Sequence, residues 1–147
     1  MKKRFLLLIP FALFATEFVK ENEKLKNDLL ANMKKQNKTI VKMAAEDISK
    51  HLPQKVDKFT TLIKADYKDT NLIYIYSLNI PKKSDKEIAK EGKNKMTPRI
   101  KENSCRSAKR FLKSDITLTY RYISKKSKKL LYSIDVNKKD CKDIWKP

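Results

Sequence analysis

The chain begins with a short positive cluster, Met1-Lys2-Lys3-Arg4, and then runs apolar without a break from Phe5 to Ala15. Behind that run the apolar pattern thins. Phe18, Leu25, Leu29 and Met33 recur at helical spacing with Asn22 interrupting the stripe, so residues 16–38 predict a Lys-rich spacer or a thin helix. A wider stripe follows. Ile40, Val41, Ala44, Ala45, Ile48 and Leu52 share one helical face, Thr39 is placed to cap it, and Pro53 stops it.

From Gln54 the period drops to two. Val56, Lys58, Thr60, Leu62 and Lys64 alternate with Phe59, Thr61, Ile63 and Ala65, which predicts a strand over 55–66. Lys68-Asp69-Thr70-Asn71 reads as a turn. Leu72-Ile73-Tyr74-Ile75-Tyr76-Ser77-Leu78 is apolar on both faces and suits a central strand. Pro81 ends it. Ser84 with Glu87 three positions on fits a capping box, so a helix starts there. Gly92 and Thr97-Pro98 are expected to interrupt that helix, with Thr97 as cap and Pro98 as first residue of a restart. Ile100, Ala108, Phe111 and Leu112 supply its buried side, with Cys105 near them. Ile116, Leu118, Tyr120 and Tyr122 alternate with Thr117, Thr119, Arg121 and Ile123, and Leu130, Tyr132, Ile134 and Val136 alternate with Leu131, Ser133 and Asp135. The two runs predict a hairpin closed by a polar turn from Ser124 to Lys128.

The order helix, hairpin, helix, hairpin predicts an α+β fold of two layers. Residues 39–147 form one domain, an antiparallel sheet of about four strands with the helices on one face. The other face is expected to be wet, and Thr117, Thr119 and Arg121 suit it.

Composition changes the picture mainly by exclusion. The 147 residues include one Gly, two Cys and one His, with a formal net charge of +19. A Gly-rich phosphate loop needs several glycines close together. A zinc site built only from Cys and His needs four such residues. No cofactor or metal is therefore expected. The leading segment, residues 1–15, has the positive start, apolar run and small residue of a secretory signal peptide. Its rival is a short uncleaved anchor, against which stands the span of ~20 apolar residues a bilayer needs. The protein is expected to be exported and periplasmic; the alternative is inner-membrane anchoring. In that setting Cys105 and Cys141, 36 positions apart, read as one disulfide. The alternative is two free thiols, with Arg106 beside Cys105 to lower its pKa.

Leu52-Pro53, Val56-Asp57, Thr60-Thr61-Leu62 and the Leu72-x-Tyr74-x-Tyr76-x-Leu78 run, followed by Cys105, Ile116-Thr117, Tyr120-x-Tyr122, Ile134-x-Val136 and Asp140-Cys141, form a recurring pattern. It resembles a loosely defined group of small bacterial proteins, exported or membrane-anchored, without an assigned activity. The resemblance covers about residues 40 to 141. It implies an extracytoplasmic domain with paired cysteines and carries over no catalytic residue.

Candidate chemistry is sparse, and no catalytic residue is assigned. His51 follows Glu46 and Asp47 by about one helical turn, but no second ligand or nucleophile is spaced to it. Asp57, Thr60 and Thr61 are the most distinctive polar cluster. They predict either a strand-edge binding site or a turn in which side chains satisfy backbone groups. Asp140 and Asp143 have no acid–base partner in the pattern. Tyr74, Tyr76, Tyr120, Tyr122 and Tyr132, at strand spacing among lysines, suggest stacking on single-stranded nucleic acid. Export argues against that reading, as does the rarity of Arg beside Lys. Lys125, Lys126, Lys128 and Lys129 at the hairpin tip are the densest basic patch. The preferred reading is a non-enzymatic binding or accessory domain that meets an acidic protein or an anionic envelope component through its lysines, with peripheral membrane contact. The alternative is an inhibitor or immunity-type protein against a secreted hydrolase or toxin.

Overall fold

A computed structural model describes residues 12–146. The part of the expected leader before Ala12 lies outside them. The described residues fall into two compact units that divide between Lys35 and Gln36. Helix α1 spans Ala12–Ser49. In the first unit its side chains from Val19 to Lys35 are all exposed, Leu25 at 68%. Among the described residues no helix is long and apolar enough to cross a membrane. Thr39, expected as a cap, lies inside α1, because no Gly or Pro between residues 16 and 49 stops the helix earlier.

In the second unit the last turns of α1 bury a narrow face of Asn37, Val41 and Ala45, while Ile40 stays 43% exposed. Asn37 Nδ2 donates to the Ser114 carbonyl at 2.6 Å. The sheet contains β1 (Gln54–Lys55), β2 (Thr60–Lys68), β3 (Asn71–Leu78), β4 (Thr117–Ser124) and β5 (Leu130–Val136), in that spatial order. Helices α2 (Asp85–Ser107) and α3 (Lys109–Lys113) join β3 to β4, and a 3-10 turn, Lys138–Cys141, follows β5. Side chains from α1, α2 and the covered sheet face meet in one core that includes Val41, Ile88, Leu72, Leu118 and Val136. The two-layer α+β expectation holds.

Three expectations need correction. The single strand over 55–66 is two strands, so the sheet has five strands and not four. Asp57 causes the split. Its Oδ1 accepts from the Phe59 N–H at 2.7 Å and the Thr60 N–H at 2.9 Å, and the Val56 N–H reaches the Thr60 carbonyl at 3.0 Å, so the chain reverses there. The sheet is also mixed and not wholly antiparallel. β3 and β4 run parallel, Asn71 opposite Thr117 and Leu78 opposite Ser124. A parallel pair needs a crossover, and α2, at ~34 Å long, carries the chain back to the end where β3 began. Finally, α2 does not restart at Pro98. Thr97 Oγ1 donates to the Lys93 carbonyl at 2.6 Å instead of capping, and burial of Ile88 and Ile100 on either side holds one helix through the proline.

The Ser84–Glu87 capping box is present as expected. So is the Cys105–Cys141 disulfide, with both sulfurs fully buried and the Cα atoms 5.3 Å apart. On the wet face Arg121 is exposed. Thr119 is nearly buried, and its hydroxyl donates to Asp135 at 2.6 Å and accepts from Asn71 Nδ2 at 2.9 Å.

Candidate functional site

The period of two puts Tyr74 and Tyr76 of β3, Tyr120 and Tyr122 of β4, and Tyr132 of β5 on the covered face. Pairing then decides which rings meet. The parallel register sets Tyr74 beside Tyr120 and Tyr76 beside Tyr122; the antiparallel one sets Tyr122 beside Tyr132. The ring centroids lie 5.2, 5.0 and 4.6 Å apart, all stacked. The rings of the row are therefore stacked on one another.

Tyr76, Tyr120, Tyr122 and Tyr132 floor a groove of about 740 Å³. One wall is α2, through Ile88, Gly92, Met96 and Ile100. The opposite lip is the Val56–Thr60 turn, where Val56 is 58% and Phe59 41% exposed. The Tyr120 hydroxyl is bonded to Ser104 Oγ at 2.8 Å. Among the described residues no buried side-chain polar atom lacks a partner. Burial pushes Tyr74 and Tyr132 up to about 12, and pushes Tyr76 and Tyr122 higher still. These phenols stay protonated near neutrality. Glu91 in the α2 wall is ion-paired with Lys83 and, at 3.6 Å, with Lys95, which holds its carboxyl below the usual range. Lys58 Nζ stands 5.5 Å from the Phe59 ring centre.

The only glycine in the chain sets the width of this groove. A Cβ on Gly92 would stand 2.6 Å from Tyr132 Cε1 and 2.9 Å from Cζ. The ring cannot retreat freely, because it is stacked on Tyr122. Gly92→Ala is expected to lower stability by up to about 2 kcal/mol: contacts this short call for the upper part of the ~1–3 kcal/mol overpacking range, which outweighs the ~1 kcal/mol that alanine gains in a helix. Thermal unfolding followed by near-ultraviolet circular dichroism checks this. An unchanged melting temperature with an unchanged tyrosine signal would refute it.

Other residues singled out in the sequence lie as follows. Asp57 and Thr60 are at the groove lip, with Asp57 committed to the turn; Thr61 pairs with Ser77, whose side chain belongs to the other face. Lys125, Lys126, Lys128 and Lys129 are exposed on the β4–β5 turn, where Lys128 takes a positive φ of 63°. That turn packs on the loop leading into α2: the Lys125 N–H donates to the Leu78 carbonyl at 2.8 Å, Lys126 Nζ reaches the Pro81 carbonyl at 3.2 Å, and the Ser127 hydroxyl meets the Asp85 carboxylate. His51 is exposed just past α1, while Glu46 and Asp47 pair with Lys42 and Lys50. Asp140 pairs with Lys101 at 2.6 Å and Asp143 with Lys146. Among the described residues no group of three His, Cys, Asp or Glu side chains is placed to hold a metal ion. Sequence reading missed Met96 and Lys83, and it took Gly92 for an interruption of a helix that runs unbroken through it. Its one available signal for the groove was the run of tyrosines at alternate positions, which points to a face but not to its neighbours.

Residues 35–132 match the family described as a domain of unknown function (DUF8479). Among curated proteins none matches this chain in sequence. Three solved structures share the fold. A candidate secreted protein from Pseudomonas aeruginosa superposes with a TM-score of 0.66 at 12% identity, over 75% of this chain and 96% of that one. The pilotin EpsS of the Vibrio vulnificus type 2 secretion system gives 0.62 at 11% identity, over 76% and 97%. The type II secretion system pilotin AspS of Vibrio cholerae gives 0.55 at 14% identity, over 76% and 97%.

Proposed function

This chain belongs to the DUF8479 family, a membership that assigns no activity, and from its geometry we propose a non-enzymatic docking module of the cell envelope that holds a segment of another protein in the tyrosine-floored groove. The groove carries the reading. It is the described cavity in which apolar side chains, Phe59 and Val56 among them, stand exposed beside a few polar groups that can orient a ligand. Its carboxylates are engaged elsewhere, Asp57 in its turn and Glu91 in its ion pairs, so the lining favours binding over acid–base chemistry. Two further observations support an accessory protein outside the cytoplasm. The N-terminal segment has the pattern of a leader, and a buried disulfide persists in an oxidising compartment. The fold shared with two pilotins of secretion systems agrees with an accessory role.

A photo-crosslinking amino acid placed at Phe59, in the native host, tests the proposal against the same group at Met43, an exposed apolar site on α1 that does not line the groove. The expected result is a discrete protein adduct from position 59, absent from position 43, and lost when Met96→Glu puts a charge in the groove wall. Equal adducts at both positions, or an adduct indifferent to Met96→Glu, would overturn the groove as the docking site.

A further inference from the structure

We propose that the segment held in the groove is amphipathic and acidic at one end, and that this end lies against a lysine cluster built from the β4–β5 turn and the loop before α2. The inference rests on the docking reading above and adds the chemistry and direction of the partner. The hydrogen bonds from Lys125 to Leu78, from Lys126 to Pro81 and from Ser127 to Asp85 join the two loops into one surface. Leu78, Ile80 and Lys83, at the edge of that surface, line the groove, so the surface is its end wall. Lys82, Lys83, Lys86, Lys125, Lys126, Lys128 and Lys129 are all exposed there.

The acidic groups at this end do not neutralise it. Asp85 bonds to Ser127, Glu87 closes the capping box with Ser84, and Glu91 pairs with Lys83. Three carboxylates face seven ammonium groups, and four of the seven project from a single turn. At the far end of α2, a helix ~34 Å long, the residues that line the groove are neutral, Asn103, Ser104 and Ser107. Of the exposed cations near Ser107 in the chain, Arg106 pairs with Glu102, and Lys109 and Lys113 stand over the Trp145 ring, which leaves Arg110 against the seven lysines of the other end. An apolar floor with a densely cationic end and a weakly cationic one is electrically asymmetric. It complements a segment whose apolar face sits on the tyrosines and whose carboxylates sit at the lysine end. Charge placed this way sets specificity and orientation more than raw affinity.

The probe is a synthetic amphipathic peptide of about four helical turns, leucine-rich on one face, with glutamates gathered at one end and a spin label beside them. Its matched control carries glutamine in place of glutamate. The protein is the full domain and a variant with Lys125, Lys126, Lys128 and Lys129 all changed to Ser, exposed positions whose replacement leaves the core intact. The acidic peptide is expected to bind the wild type about tenfold tighter than the variant at ~0.15 M salt, with most of that difference gone at ~0.5 M. The label should broaden resonances of residues 82–86 and 125–129 and spare those near Ser107. The glutamine peptide should bind both proteins alike. If both peptides bind wild type and variant equally, and Met96→Glu weakens both, the groove docks peptides but the acidic polarity is wrong. If neither peptide responds to Met96→Glu, the docking reading itself fails. If the four lysines govern binding to vesicles of anionic phospholipid while the acidic peptide ignores them, the cluster serves a membrane and the inference is overturned.

Discussion

Removing the Cys105–Cys141 bridge is expected to destabilise the domain by about 3–4 kcal/mol, through the entropy that the unfolded chain regains when a 36-position loop is opened. The closed segment holds α3, β4 and β5, so the crosslink restricts much of the sheet's second half. It also fastens the last structured turn. Trp145 Nε1 donates to the Cys105 carbonyl at 2.8 Å, and Lys101 meets Asp140 at 2.6 Å, both within reach of the bridge. Because both sulfurs are fully buried, Cys105→Ala with Cys141→Ala is a cleaner test than serine, which would bury two new hydroxyls. Urea unfolding should show a midpoint lowered by about 2 M for the double variant and for the reduced wild type alike. A change below about 1 kcal/mol would mean that the tryptophan and lysine contacts already restrain the C-terminal turn, and that the bridge adds little to them.

The second large effect is alkaline unfolding driven by the tyrosine row. Five of the six tyrosines, Tyr74, Tyr76, Tyr120, Tyr122 and Tyr132, are held above their ordinary range, chiefly by burial. At Tyr120 the Ser104 hydrogen bond offsets part of that rise. The sign follows from linkage. A group whose pKa is higher folded than unfolded contributes stability that is complete below its unfolded value, ~10 for tyrosine, and is lost as pH rises through the folded value. For Tyr74 and Tyr132 the folded value is about 12, so the window runs from there down to ~10. A second influence acts below that window. With a formal charge of +19 and an isoelectric point near 9.9, the chain repels itself at neutral pH and less so as pH rises. Stability should therefore increase gently toward pH ~10 and then collapse. Phenolate absorbance and far-ultraviolet circular dichroism, followed together, should change in one cooperative step within that window. Five tyrosines titrating near their ordinary value while the circular dichroism stays native would show that the row is not buried as described. Tyr132→Phe should move the midpoint upward, since one linked proton is removed while the stack on Tyr122 remains.

The outer half of the site was more legible than its centre. Asp57 followed by Thr60 could be read as a turn that satisfies its own backbone, and it forms the groove lip. The lysines of 125–129 could be read as a hairpin tip. That Lys82, Lys83 and Lys86 stand beside them could not, because the two stretches are about forty positions apart and meet only through the Leu78, Pro81 and Asp85 contacts. The tyrosines were visible as a face, and their stacking on one another was not.

What the sequence determined by itself was whatever depends on neighbours along the chain. The β4–β5 hairpin follows from alternation between Ile116 and Val136. The start of α2 follows from a Ser and a Glu three positions apart. Both arise from backbone geometry and short-range hydrogen bonds that a few residues specify. Tertiary structure decided the parallel pairing of β3 with β4, the unbroken passage of α2 through Pro98, and the place where Gly92 lets the helix approach Tyr132. In each case a local preference competed with burial of apolar surface against partners distant in the chain. The burial prevailed because it involves many side chains at once, while a proline or a glycine within a helix costs only ~1–3 kcal/mol.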